Sequence, residues 1–110
     1  MATTFKVLGQ AAPANTSNAD LYTVGAGKSA IVSTLSITNV TSTAATARVF
    51  VRVAGATAAA GNAIMYDTSI PANATTGLTL GLTLAATDVI AVATGTANSL
   101  TFQAFGQENN

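Results

Sequence analysis

The sequence predicts an all-β protein, a single-domain antiparallel β-sandwich of about eight strands, jelly-roll or Ig-like in type. Three observations carry this. Apolar residues alternate with Thr, Ser and Gln at a period of two in short runs such as "LTLGLTL" and "SLTFQAF". Clusters of Gly, Asn, Ser and Pro separate these runs at short spacing. Nowhere does a 3.6-residue apolar period persist for three turns. The 110 residues are expected to form one domain over 1–110, enough chain to bury roughly 65% of its unfolded surface.

In chain order, strands are expected near Thr4 to Leu8, Leu21 to Val24, Ala30 to Thr38, Thr46 to Val53, Ala63 to Tyr66, Gly77 to Leu82, Val89 to Thr94 and Leu100 to Phe105. The first, "ATTFKVL", alternates like a strand but precedes the polar "GQAAPANTSNAD". Residues 1–19 therefore read as an N-terminal arm and linker, and Phe5 and Val7 as interface residues that pair with a sheet edge of this or a neighbouring subunit. In "IVSTLSITN", strict alternation puts Ile31, Leu35 and Ile37 on one face with Ser33. In "LTLGLTL", it puts Leu78, Leu80, Leu82 and Leu84 together. Ile90 and Val92 point the same way, as do Leu100, Phe102 and Ala104, which leaves Phe105 off the main apolar face. "VTSTAAT" reads as a hairpin loop, and "AGATAAAGNA" as a longer loop with room for one helical turn. So many inward positions are Ala or Val that the core should be thin.

"ARVFVRVAG" poses the sharpest question. If Val49, Val51 and Val53 face the core, Arg48, Phe50 and Arg52 form an outward stripe, although the chain has only four basic residues. An aromatic framed by arginines has the composition of an interface anchor. The alternatives are that Phe50 is a single exposed apolar residue, or that a loop such as Ala54 to Ala63 folds over it.

Composition narrows the function. Charged residues are 7% of the chain, hydrophobic residues 49%, and net charge is zero. Such a surface lacks the clustered Lys and Arg that bind nucleic acid, and it favours association with other proteins. There is no Cys and no His, so no disulfide, no thiolate metal site, and none of the commonest metal ligand or general base. The uncharged run Thr68 to Thr87 contains Pro71, Asn73 and six threonines and does not read as a membrane span. "MATTFKVLGQ" lacks the apolar core of a secretory signal, so a cytoplasmic origin is expected.

No motif supplies chemistry. "GAGKSA" resembles the end of a phosphate-binding loop, but Tyr22 stands where that motif needs its first glycine, and a strand follows instead of a helix. Asn15, Asn39 and Asn73 begin glycosylation sequons but read better as turn and edge residues. The acids Asp20, Asp67, Asp88 and Glu108 are scattered, and Asp88 is placed to accept backbone N–H bonds in a turn. No nucleophile and base, and no cofactor site, can be proposed.

Two stretches carry a resemblance. "DLYTVGAGKSAIVSTLSITNVTSTAATARVFVRVAGA" and "YDTSIPANATTGLTLGLTLAATDVIAVAT", which lie within Asp20 to Thr94, look like small virion proteins of tailed phages, particularly cyanophages. In that group a "LYTV-x-AGK" turn leads into a strand ending in Asn and then into a hairpin. The departure is Gly25, where proline is expected in the turn. The resemblance implies a non-enzymatic structural virion protein of the capsid decoration or cement type. It would assemble as a trimer and bind the major capsid protein on the capsid exterior after synthesis in the host cytoplasm. The alternative it leaves open is a tail, baseplate or fibre module that binds a host-surface glycan.

Overall fold

In the computed structural model, residues 3–110 are described. Met1 and Ala2, the first residues of the expected arm, lie outside the described residues. Nine strands follow one another: β1 (Thr3–Ala11), β2 (Ala19–Thr23), β3 (Ser29–Asn39), β4 (Ala45–Arg52), β5 (Ala63–Ile70), β6 (Thr75–Leu78), β7 (Leu82–Leu84), β8 (Val89–Thr94) and β9 (Leu100–Asn109). Two 3-10 turns, Val53–Gly55 and Ala60–Asn62, lie between β4 and β5.

All pairings are antiparallel. One sheet runs β1-β9-β3-β6 with β7 also paired to β3, and the other runs β2-β8-β4-β5. The order reads as one long hairpin rolled up. Starting from β4 against β5 near mid-chain, the pairs outward are β3 with β6, β2 with β8 and β1 with β9, alternating between the two sheets. This is jelly-roll connectivity, and it decides between the two sandwich types that the sequence admits. β1 is a full member of its sheet, paired with β9 along its whole length.

Between the sheets lies a core of short side chains. β3 contributes Ala30, Val32, Leu35 and Ile37 and β9 contributes Leu100, Phe102 and Ala104, facing Ala45, Ala47 and Val49 of β4 and the adjacent Ile90 and Val92 of β8 in the other sheet. Burying a side chain such as Phe102 or Ile90 contributes ~1.5–3 kcal/mol, and the several alanines much less. Asn39 is buried among them at the end of β3. Its amide nitrogen donates to the carbonyls of Thr43 and Ile70, and its amide oxygen accepts from the backbone N–H and hydroxyl of Thr41. It organises the β3–β4 turn and ties it to the end of β5, a use that excludes glycosylation at this sequon.

The face that strict alternation assigns to "IVSTLSITN" is corrected. Leu35 and Ile37 are buried as expected, but Ile31 lies on the outer face and Val32 takes its place in the core. The cause is a bulge: Val32 pairs with Gly106 and Thr34 with Phe105, so Ser33 is an extra residue and the inward parity changes there. A second bulge sits across β9 at the same level, where Val7 pairs with Phe105 and Gly9 with Ala104, leaving Leu8 extra. Gly106 makes the first bulge possible, because a Cβ there would overlap the carbonyl of Ile31.

Two further expectations change. "LTLGLTL" is two strands, β6 and β7, because Gly81 adopts φ 63° and breaks the run, and Leu80 is exposed instead of buried. Val53 leaves the strand for the first 3-10 turn and is exposed, so it does not join Val49 and Val51.

Gly106→Ala should therefore destabilise the fold by ~1–3 kcal/mol, the typical cost of forcing an extra carbon into packed structure. Gly77→Ala, where a Cβ meets only open space, should stay within about 0.5 kcal/mol of the parent. Urea midpoints of the two variants check this; equal midpoints would contradict the role given to Gly106.

Candidate functional site

The stripe Arg48, Phe50 and Arg52 does lie on the outer face of its sheet, opposite Ala93, Ala91 and Val89 of β8. The expectation that Phe50 is an outward anchor is nevertheless corrected: Phe50 is 3% exposed. Phe50, Val89, Ala91 and Ala93 are buried outside the main core and form a second, thinner apolar layer. The segment between β4 and β5 covers it, its first 3-10 turn packing on β8 and its second on β4. The ring of Tyr66 meets Phe50 edge-on at 6.3 Å between centroids.

Both arginines act as clasps on this layer. Arg52 donates to the carbonyls of Ala56 and Gly55 at 2.6 and 3.0 Å and to the carboxylate of Asp20 at 2.7 Å, which holds the covering segment to β4 and β4 to β2. Asp88 fastens the same segment from the other side, accepting from the N–H groups of Ala54 and Ala85 at 2.9 Å. The turn role expected of Asp88 is thus combined with a long-range one. Arg48 grips Asp67 with two N–H groups and places its guanidinium 4.1 Å over the Tyr66 ring. That pairing holds the Asp67 carboxyl below the usual carboxylate range. Beside it, Thr16, Asn18, Arg48, Asp67 and Thr94 line a small polar depression.

Phe5 and Val7 sit on the opposite side of the molecule, on the outer face of the β1-β9-β3 sheet. They are 78% and 48% exposed. Register places Phe5 beside Gln107 and then Ile31, and Val7 beside Phe105 and then Thr34. Phe5, Val7, Ile31 and Phe105 thus form an apolar band across three strands, and Phe5, Ile31 and Phe105 line a shallow groove there with Lys6, Ser33 and Gln107. Ile31 and Phe105 are missing from the sequence-based interface. Phe105 is legible there as an off-face residue, but Ile31 is not, because only the bulge turns it outward. The five expected interface residues therefore fall into two groups on opposite faces of the sandwich.

A third cluster ties the chain's ends to β2. Glu108 accepts a 2.5 Å hydrogen bond from the Tyr22 hydroxyl and pairs with Lys6 at 2.9 Å. The Tyr22 bond, and then Lys6, hold the Glu108 carboxyl below its ordinary range, while burial and the neighbouring carboxylate push the Tyr22 hydroxyl up. Among the described residues no three of His, Cys, Asp and Glu come together as metal ligands.

No protein-family model matches the sequence, and no curated protein matches it. Among solved structures, a chain in the structure of infectious bursal disease virus Gx strain is similar at a TM-score of 0.48 and 12% identity over 97% of this chain. This chain spans 31% of that chain's length, and a similarity this low carries no inference about role.

Phe50→Ala should cost about 3 kcal/mol in unfolding free energy, the lower end for a buried phenylalanine because its cover is thin. Arg52→Ala should cost only about 1 kcal/mol but speed proteolytic cleavage within residues 53–62. Unchanged cleavage in the Arg52 variant would contradict the clasp. The Glu108 carboxyl is lowered in the folded state, so its contribution to stability is present above the ordinary carboxylate range and is lost as pH falls through and below it. The difference in melting temperature between the parent and Glu108→Gln should shrink as pH is lowered from 7 to below 4, a window set by the ordinary glutamate pKa of ~4.3. A constant difference would show that Glu108 acts by packing alone.

Proposed function

We propose that this chain is a structural virion protein that decorates a capsid from outside and stabilises it by binding adjacent major capsid subunits. The observation that carries the reading is the apolar band of Phe5, Val7, Ile31 and Phe105, whose one charged neighbour in the groove, Lys6, is paired with Glu108. Exposed apolar residues gathered on one face and rimmed by Ser, Thr and Gln mark an interaction surface. The resemblance of the stretches within Asp20 to Thr94 to small phage virion proteins supplies the class of partner.

The charges support a role without catalysis. Each of the four acids holds the chain's own structure: Asp20 binds Arg52, Asp67 binds Arg48, Asp88 binds two backbone N–H groups, and Glu108 binds Tyr22 and Lys6. The mechanism is mass action. A protein that binds only the assembled lattice stabilises it as the logarithm of its occupancy, and many copies add together. No cofactor, nucleic acid or membrane enters this reading, and synthesis in the host cytoplasm precedes attachment.

A second reading, a tail or fibre module for a host glycan, draws on the polar depression at Thr16, Asn18, Arg48, Asp67 and Thr94. Arg48 and Asp67 turn their hydrogen-bonding groups on each other, however, and the guanidinium covers one face of Tyr66, which disfavours sugar stacking there.

Quantitative mass spectrometry of purified particles separates the two. Decoration predicts a copy number of the same order as the major capsid protein, and loss of bound protein when Ile31→Asp and Phe105→Asp are combined. A copy number matching a tail component, or full occupancy by the double variant, would overturn it.

A further inference from the structure

We infer that two copies of this chain pair through β1, edge to edge and antiparallel, about a two-fold axis at Phe5. Among the described residues, β1 is the outermost strand of its sheet and has a paired neighbour on one side only, β9. Its two halves differ. Beyond the bulge, Leu8 and Ala11 pack on the core, and Gly9 lies so close to β2 that a Cβ would overlap the carbonyl of Leu21. From Thr3 to Val7 every residue is exposed. Alternate N–H and C=O groups of this half point away from β9, toward the open side.

Sheet edges are ordinarily protected by proline, by a bulge or by an outstanding lysine. Thr3–Val7 contains no proline, the bulge lies beyond it, and its one lysine is drawn across to Glu108. The edge is therefore open to another strand, and the apolar band begins on it at Phe5 and Val7.

The second copy is the occupant because the segment is complementary to itself in one register. With the axis at Phe5, all five residues pair: Phe5 with Phe5 of the second copy, Thr3 with its Val7, and Thr4 with its Lys6. Aromatic residues meet and no like charges stand opposite, which favours cross-strand pairing. An axis at Lys6 would oppose two lysines and bring in the bulged Leu8. An axis at Thr4 would leave only Thr3, Thr4 and Phe5 paired within the open stretch. Because such an axis is perpendicular to the sheet, both outer faces stay on the same side, and the two apolar bands join into one. The contact is isologous, so it yields pairs in place of the trimer that the resemblance implies. It stands on the strand edge in solution and does not depend on what the assembled protein decorates.

The chain contains no cysteine, so introduced thiols report the register directly. Phe5→Cys should form disulfide-linked dimers on mild oxidation, and an equal mixture of Thr3→Cys and Val7→Cys should cross-link heterotypically. Thr101→Cys, on the same outer face away from β1, should remain monomeric under the same conditions. Sedimentation equilibrium of the unmodified chain should give twice the chain mass. Phe5→Asp, which alters an exposed residue and should leave the circular dichroism unchanged, should raise the dimer dissociation constant about tenfold or more, equivalent to ~1.4 kcal/mol. A monomer or a trimer in solution, cross-linking of Phe5→Cys no greater than that of Thr101→Cys, or dimerisation unaffected by Phe5→Asp would each overturn the pairing. None of these measurements involves a capsid, so their failure leaves the decoration reading to its own test.

Discussion

The architecture turns on a change of parity beside Phe105. β9 lies between β1 and β3, and both neighbours carry one extra residue at the same level, Leu8 on one side and Ser33 on the other. Inward and outward positions exchange there along both neighbouring strands. Val32 replaces Ile31 in the core, while Ile31 joins Phe5, Val7 and Phe105 on the outer face. Without the β3 bulge Ile31 would share the inward parity of Leu35, and without the β1 bulge Phe5 and Val7 would share that of Gly9, leaving only Phe105 of the band on the outer face. Gly106 is the local permission for this arrangement, since only a residue without Cβ lets the β3 backbone approach so closely.

The opposite face is managed differently. A jelly-roll leaves the outer side of each sheet to be covered or solvated, and here the sheet containing β4 and β8 is partly covered by the chain between β4 and β5. Phe50 gives that cover something to pack on, and the small Ala91 and Ala93 let it lie close to the sheet. Arginine suits both clasps because its fork can bind several oxygens at fixed angles: Arg52 joins two carbonyls and a carboxylate, and Arg48 joins a carboxylate and an aromatic face. These pairs are exposed, and each is worth little alone. Arg52 fixes where the covering segment lies and Arg48 ties β4 to β5, and both do this more than they stabilise the whole chain.

A chain with so few charges that uses most of them on itself presents a surface of hydroxyls, amides and short apolar groups. Such a surface does little to repel a copy of itself or a neutral partner. The two outer faces then divide the molecule: one is closed by its own loop, and the other carries the exposed apolar band and the open half of β1.

The class and most of the strands follow from local pattern. Period-two alternation and turn residues act locally, so the β content, the sandwich and the inward set Leu35, Ile37, Ile90, Val92, Leu100 and Phe102 were legible in it. The outward side of Arg48, Phe50 and Arg52 was legible for the same reason. Burial of Phe50 was not, because it depends on where a loop without periodic pattern comes to rest. The jelly-roll order, the exchange of Ile31 for Val32 and the opposed placement of the two expected interface groups were decided only in the tertiary structure. Strand order and bulges arise from pairing between segments far apart in the chain, as when Gly106 yields to the carbonyl of Ile31, and a local pattern holds no record of which distant backbone it will meet.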